Sequence, residues 1–302
     1  MTVRKPQIFS LGSGSAAQRM QVRLTVLQNI SCLDVSINTE GDIPWYEMQD
    51  LPAIFRLPSL EYLRISVEDD TSASTGNVVR PEEPWGRSRS IVKHLVIDMS
   101  KTKRELTNWT IIDVLAACGS LETLYIDARF GKSFDITSIR KELLRDEQTL
   151  QVLRLHLSFG NALPRLFRWR QTEGLLWRDS RHDLPRFNNL KDLVLPSWCL
   201  DIQEGRRPPP QNVVDAYRML PSGIEHLGLL IDSERGSENA VKALAQVYPS
   251  RLHNLKTLSL SLASHRLAKV RSEVDQLISS GNEVEYGMVG RECMHVDLLT
   301  NI

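Results

Sequence analysis

"LPSLEYLRISV", residues 57–67, carries a short frame in Leu60, Leu63 and Ile65: apolar, two variable, apolar, one variable, apolar. The same frame recurs in "CGSLETLYIDA" (118–128), "QTLQVLRLHLS" (148–158), "FNNLKDLVLPS" (187–197) and "LHNLKTLSLSL" (252–262). "SIVKHLVIDM" (90–99) joins through Val92, Leu95 and Ile97, "SGIEHLGLLI" (222–231) through Ile224, Leu227 and Leu229, and "NISCLDVSI" (29–37) through Ile30, Leu33 and Val35. The middle apolar residue of the eight units falls at 33, 63, 95, 124, 153, 193, 227 and 258, in steps of 30, 32, 29, 29, 40, 34 and 31. A beat kept along a whole chain marks a repeat array, and it predicts one solenoid in place of two unrelated domains.

The frame has a simple physical content. Side chains alternate across a strand, so the middle and last apolar residues point to one side, and the first turns in just before the strand begins. Stacked in parallel, such strands share one core, and a helix must return the chain between them. "PWYEMQDLPAIF" (44–55), "NWTIIDVLAAC" (108–118), "TSIRKELLRDE" (137–147), "PQNVVDAYRML" (210–220) and "SENAVKALAQVY" (237–248) have apolar residues at helical spacing behind polar or proline starts. The fold class expected is α/β: a horseshoe of about eight helix-strand units with a parallel sheet on its concave face. Residues 20–290 form it, after a leader over 1–19 and before a tail over 291–302.

The units "LPSLEYLRI", "CGSLETLYI", "LPSGIEHLGL" and "LHNLKTLSL" resemble the leucine-rich-repeat superfamily, in particular the irregular repeats of fungal F-box proteins. The resemblance implies a solenoid that recognises a protein and, in F-box proteins, presents it to a cullin-type ubiquitin ligase, with ligase components as further partners. Two departures qualify it. The regular family has an asparagine three residues after the last apolar position, which only Asn38 supplies; the other units have Glu68, Ser100, Arg129, Ser158, Trp198, Asp232 and Ala263. An F-box also needs amphipathic helices ahead of the repeats, and "MTVRKPQIFSLGSGSAAQRMQVRLTVLQ" lacks their apolar pattern.

In a parallel stack the variable strand residues face outward together, and binding by solenoids concentrates there. Tyr62, Arg64, Asp98, Tyr125, Asp127, Arg154 and His156 are the candidates for partner contact, because tyrosine and arginine dominate binding energetics. Two insertions break the beat. Residues 68–90 are polar and proline-bearing, with Trp85 as an anchor. Residues 160–189 interleave Arg165, Arg168, Arg170, Arg178, Arg181 and Arg186 with Phe167, Trp169 and Trp177, and Arg168, Trp169 and Arg170 complete the candidate set. "EGRRPPPQ" (204–211) reads as a stiff loop.

The function classes are bounded by what is absent. The 302 residues contain 37 basic and 37 acidic side chains, so no global field draws nucleic acid or an anionic membrane. Cys32, Cys118, Cys199 and Cys293 lie far apart without metal-ligand spacing, which reads as reduced thiols in an intracellular protein, cytoplasmic or nuclear. His94, Asp98, Asp127 and His156 could approach across strands, but no HExxH, GxSxG or P-loop pattern accompanies them. No catalytic residue, metal or cofactor is expected. One motif tempts otherwise: "FSLGSGSAAQ" places Gly12, Gly14 and Ala17 in GxGxxA spacing ahead of Asp34, as a nucleotide-binding enzyme would. The repeat frame instead makes Asp34 a variable strand residue and puts the glycines in a leader or helix-start turn. At the other end, 264–280 has helical spacing, and Val284, Tyr286 and Met288 alternate as a strand, together reading as a closing cap.

Overall fold

A computed structural model describes residues 7–11, 29–38, 51–68, 90–102, 105–106, 108–130, 136–159, 184–200, 214–215, 217–230, 243–244, 246–247, 250–261, 283–288 and 293–299. The insertions centred on Trp85 and on Arg168, Trp169 and Arg170, the proline-rich stretch at 204–211, the helix-like stretch at 264–280, and Gly12 and Gly14 lie outside these residues.

Along the chain run β1 (Gln7–Leu11), β2 (Cys32–Asn38), α1 (Leu51–Phe55), β3 (Tyr62–Glu68), β4 (His94–Asp98), β5 (Glu105–Leu106), α2 (Asn108–Ala117), β6 (Thr123–Phe130) and α3 (Ile136–Leu143). They are followed by β7 (Val152–Phe159), β8 (Asp192–Pro196), β9 (His226–Leu230), β10 (Thr257–Ser261), β11 (Glu283–Met288) and β12 (Cys293–Leu299). The eight frames are thus eight strands: β2, β3, β4, β6, β7, β8, β9 and β10. The chain divides into two compact units, Met1–Thr149 with Leu157–Gln171, and Leu150–His156 with Thr172–Ile302.

In the first unit β1, β2, β3, β4 and β6 pair in parallel, each with the next. Leu33 is level with Leu63, Leu63 with Leu95, and Leu95 with Leu124, so the spacing of the repeat and the register of the sheet coincide. The second unit repeats this, with Leu153 level with Leu193, Leu193 with Leu227, and Leu227 with Leu258. None of these eight leucines is more than 2% exposed. The last apolar positions, Val35, Ile65, Ile97, Ile126, Leu155, Leu195, Leu229 and Leu260, are equally buried. A one-residue slip would turn every one of them outward, which is why the register is so strongly specified.

Helices close the core on the other side. Asn108–Ala117 buries Ile111, Val114 and Leu115, one face at helical spacing, and ends where the Cys118 amide bonds back to the Leu115 carbonyl at 3.1 Å. Ile136–Leu143 buries Ile139 and Leu143 one turn apart, then tightens into a 3₁₀ turn over Leu144–Asp146. In the second unit Val214 and Tyr217, and Ala243, Leu244 and Val247, are helical and buried. Among the described residues no helix is long and apolar enough to cross a membrane.

Six of the framed strands, β3, β4, β6, β8, β9 and β10, are entered in the same way. The Ser31 carbonyl accepts both the Glu61 and Tyr62 amides, at 3.0 and 2.9 Å, and the Glu61 carbonyl accepts Lys93 and His94, at 2.8 and 3.0 Å. Gln151 holds Lys191 and Asp192 likewise, Lys191 holds Glu225 and His226, and Glu225 holds Lys256 and Thr257. Further links between repeats come from polar side chains four residues before the middle leucine. Thr149 Oγ1 donates to the Leu121 carbonyl at 2.8 Å, and Asn254 Nδ2 donates to the Ser222 carbonyl at 3.1 Å.

The ends bring three strands that lack the frame. Gln7–Leu11, within the stretch read as leader, runs parallel to β2 from Gln7 opposite Leu33 to Leu11 opposite Ile37. At the far end β11 forms where Val284, Tyr286 and Met288 alternate, but the strand against β10 is β12, from the stretch read as tail. It pairs antiparallel, Thr257 with Asp297 through Ser261 with Cys293, and β11 pairs on its other side. β11 and β12 are antiparallel neighbours, and β12 lies between β10 and β11, so the parallel series ends at β10.

Candidate functional site

The outward side chains of the first unit form three rows whose members are fixed by the strand register. Cys32, Tyr62, His94 and Thr123 make the row nearest the strand starts; Asp34, Arg64, Val96 and Tyr125 make the second; Ser36, Ser66, Asp98 and Asp127 make the third. Five of the predicted contact residues, Tyr62, Arg64, Asp98, Tyr125 and Asp127, therefore lie on adjoining strands of one face. All are partly exposed, whereas the residues between them on each strand are buried.

These side chains hold one another. Arg64 donates from its terminal nitrogen to Asp98 Oδ2 at 2.8 Å, across two neighbouring strands. The other Asp98 oxygen accepts the Ser100 hydroxyl at 2.7 Å and the Ser100 amide at 3.2 Å. Partial burial by itself would push the Asp98 carboxyl upward, but the Ser100 and Arg64 hydrogen bonds outweigh it and hold the group below the ordinary aspartate value. The rings of Tyr62 and His94 meet at a tilt with centroids 6.4 Å apart, and His94 Nδ1 lies 3.1 Å from the Thr123 hydroxyl. Burial raises the Tyr62 phenol despite the opposing charge of Arg64, so it stays protonated. Tyr125 donates to Asp127 Oδ2 at 3.3 Å.

The second unit uses its outward positions differently. Arg154 is on β7, but its guanidinium forks onto the neighbouring strand's Asp192, with Nε 3.1 Å from Oδ1 and a second nitrogen on Oδ2. The Asp192 side chain is only 11% exposed, so this arginine neutralises a buried carboxylate. Next in the same row come Val194, Gly228 and Ser259. Val194 leans over Gly228 so closely that a Cβ there would lie 2.8 Å from a Val194 methyl carbon. His156 lies farther along β7 and is partly exposed, and His226 Nδ1 meets the Thr257 hydroxyl. Arg168, Trp169 and Arg170 are outside the described residues.

One feature escaped the reading of the repeats. The residue two before the middle leucine is, repeat by repeat, Ser31, Glu61, Lys93, Glu122, Gln151, Lys191, Glu225 and Lys256, so charge alternates over Glu61, Lys93 and Glu122 and again over Lys191, Glu225 and Lys256. Lys93 Nζ sits between Glu61 at 3.9 Å and Glu122 at 3.7 Å, and Glu225 sits between Lys191 at 3.5 Å and Lys256 at 2.6 Å. The period-30 comparison that exposed the leucines would have exposed this too, had charge been tracked beside hydrophobicity.

Among the described residues no three His, Cys, Asp or Glu side chains group as metal ligands would. The Cys118 thiol is buried, and burial pushes it far above its ordinary value, so it is no nucleophile. The strand order of the first unit runs β1, β2, β3, β4, β6 with β1 at its end, so no reversal of order opens a crevice beside β1 of the kind dinucleotides occupy. No protein-family model and no curated protein matches this chain.

Proposed function

We propose that this chain is a leucine-rich-repeat-like horseshoe that binds a protein partner on the concave face of its strands and catalyses no reaction. The observation that carries the reading is the asymmetry of the first unit's strands. One side is a set of buried apolar residues, mostly leucine, isoleucine and valine, and the other presents Tyr62, Arg64, Asp98, Tyr125 and Asp127 in adjoining registers. Core positions of a repeat must stay apolar, whereas outward ones are free to be chosen for recognition. The narrower form of the proposal, substrate recognition for an F-box-type ubiquitin ligase, rests on the resemblance of the repeats alone.

The test is affinity capture from native extract with the wild-type chain and a Tyr62→Ala/Tyr125→Ala variant whose thermal unfolding matches it. Arg154→Ala is a poor probe, because it strips the buried Asp192 of its partner. Proteins retained by the wild type and lost by the variant support the reading, and cullin-ligase subunits among them support the narrower form. Equal retention by both overturns the face as the binding surface.

A further inference from the structure

Beyond that reading, we infer that the strand-entry edge of this chain is an interface with a second copy of itself, in which the row of Glu61, Lys93 and Glu122 in one copy meets the row of Lys191, Glu225 and Lys256 in the other. The three residues of each row stand directly before adjoining strands, β3, β4 and β6 in the first unit and β8, β9 and β10 in the second. Neighbouring strands of a sheet lie about 4.8 Å apart, so the two rows share one pitch. Their signs are opposite at every step, minus-plus-minus against plus-minus-plus, and each pattern reads the same from both ends.

Neither row is neutral on its own. The single Lys93 ammonium stands 3.9 Å from Glu61 and 3.7 Å from Glu122, and one cation cannot offset two carboxylates. The single Glu225 carboxylate is shared by Lys191 at 3.5 Å and Lys256 at 2.6 Å, which leaves one positive charge over. The side chains of Glu61, Lys191 and Lys256 are more than half exposed, so these charges reach solvent. The other charged residues nearby do not reverse the signs. Counted along the sequence over the seven positions before each middle leucine, the first unit adds Arg56 and Arg89 against Asp146 and Glu147, and the second adds Arg186 and Arg251 against Asp192. Arg154 already neutralises that aspartate. Docking gives Glu61 and Glu122 a lysine each and sets Lys93 against Glu225. Because every copy carries both rows, no second protein is required. Complementary charge of this kind fixes register and partner more than it adds affinity, so the association is weak and salt-dependent.

The experiment is sedimentation velocity on the full chain over a range of concentrations, at about 50 and about 300 mM salt, between which the screening length falls by about half. Two variants each reverse a whole row, Glu61→Lys/Lys93→Glu/Glu122→Lys and Lys191→Glu/Glu225→Lys/Lys256→Glu, so the alternation within each chain survives. Thermal unfolding like that of the wild type checks that both fold. The wild type should self-associate at low salt and dissociate at high salt. Each reversed variant alone should associate about tenfold more weakly, near 1.4 kcal/mol, because its two rows then carry the same pattern. An equimolar mixture of the two variants should recover the wild-type association. A wild type that stays monomeric at low salt overturns the inference, as do loss in only one variant, loss in neither, and loss in both without recovery on mixing. Should a reversed variant unfold early, Glu61→Gln/Glu122→Gln and Lys191→Gln/Lys256→Gln replace the reversals; each should weaken association, and association unchanged in either overturns the inference. The concave-face reading is tested separately, by the tyrosine variant.

Discussion

Arg64 and Arg154 occupy the same position of the repeat, and the two units put them to different ends. Arg64 meets an aspartate that is 21% exposed and doubly held by Ser100, on a face otherwise furnished with tyrosines and carboxylates. Arg154 meets an aspartate that is 11% exposed, and beyond it the face is lined with Val194 and Gly228. The comparison teaches that an outward position in a repeat is not functional by address. What decides is whether the neighbouring strand leaves the side chain available or consumes it.

The core is where the two units should behave alike, and the largest effect tests that equivalence. Leu95→Ala and Leu193→Ala each remove a fully buried leucine and should each cost about 2–5 kcal/mol in denaturant unfolding. A large cost in one unit with a negligible cost in the other would show that the repeats are not energetically interchangeable.

The two arginines should then separate. Arg154→Ala leaves the Asp192 carboxylate buried and unpaired, and should cost about 1–3 kcal/mol. Arg64→Ala, whose partner keeps the Ser100 bonds, should cost about 0–1 kcal/mol. Arg154→Ala/Asp192→Asn should recover part of the loss. Similar values for the two single variants would erase the distinction drawn between the faces.

A subtler contrast concerns the second unit's close contact. Gly228→Ala forces a Cβ against Val194 and should destabilise by about 1 kcal/mol. In a Val194→Ala background the clash is gone, and the same substitution should be neutral or slightly stabilising, because alanine suits a strand better than glycine. Equal effects in both backgrounds would mean that Val194 can move aside freely.

The smallest effect is acid dependence. Asp98 is held below the ordinary aspartate value, so its contribution to stability is fully present above that value and is lost as pH falls through its own lower one. Titration of the Asp98 carboxyl by NMR should show the depressed midpoint, rising toward the usual range in Ser100→Ala and in Arg64→Ala. Glu225, lowered chiefly by the Lys256 hydrogen bond, should respond in the same sense to Lys256→Ala.

Much of this fold was legible because hydrophobic burial writes a period into the chain. Leu33, Leu63, Leu95 and Leu124, and their counterparts Leu153, Leu193, Leu227 and Leu258, stand level on adjoining strands of their units, as a shared core requires. Gln7–Leu11 was not legible, since five residues without the frame carry no period; its pairing with β2 comes from an open edge seeking backbone partners. The strand Cys293–Leu299 had a signal that went unread, the alternation of Met294, Val296 and Leu298. Tyr217 was placed on a helical stripe, but nothing local says that its hydroxyl is buried without a hydrogen-bond partner.

The sequence by itself determined the repeat, the eight framed strands, their register and the buried side of each, because a period of apolar residues admits one way of sharing a core. Only the tertiary structure decided which outward residues are consumed internally. Asp192 lies 38 residues from Arg154, and Asp98 lies 34 from Arg64. Partnerships at that separation depend on which strands become neighbours and how deeply each carboxylate sinks, and no short stretch of chain encodes either.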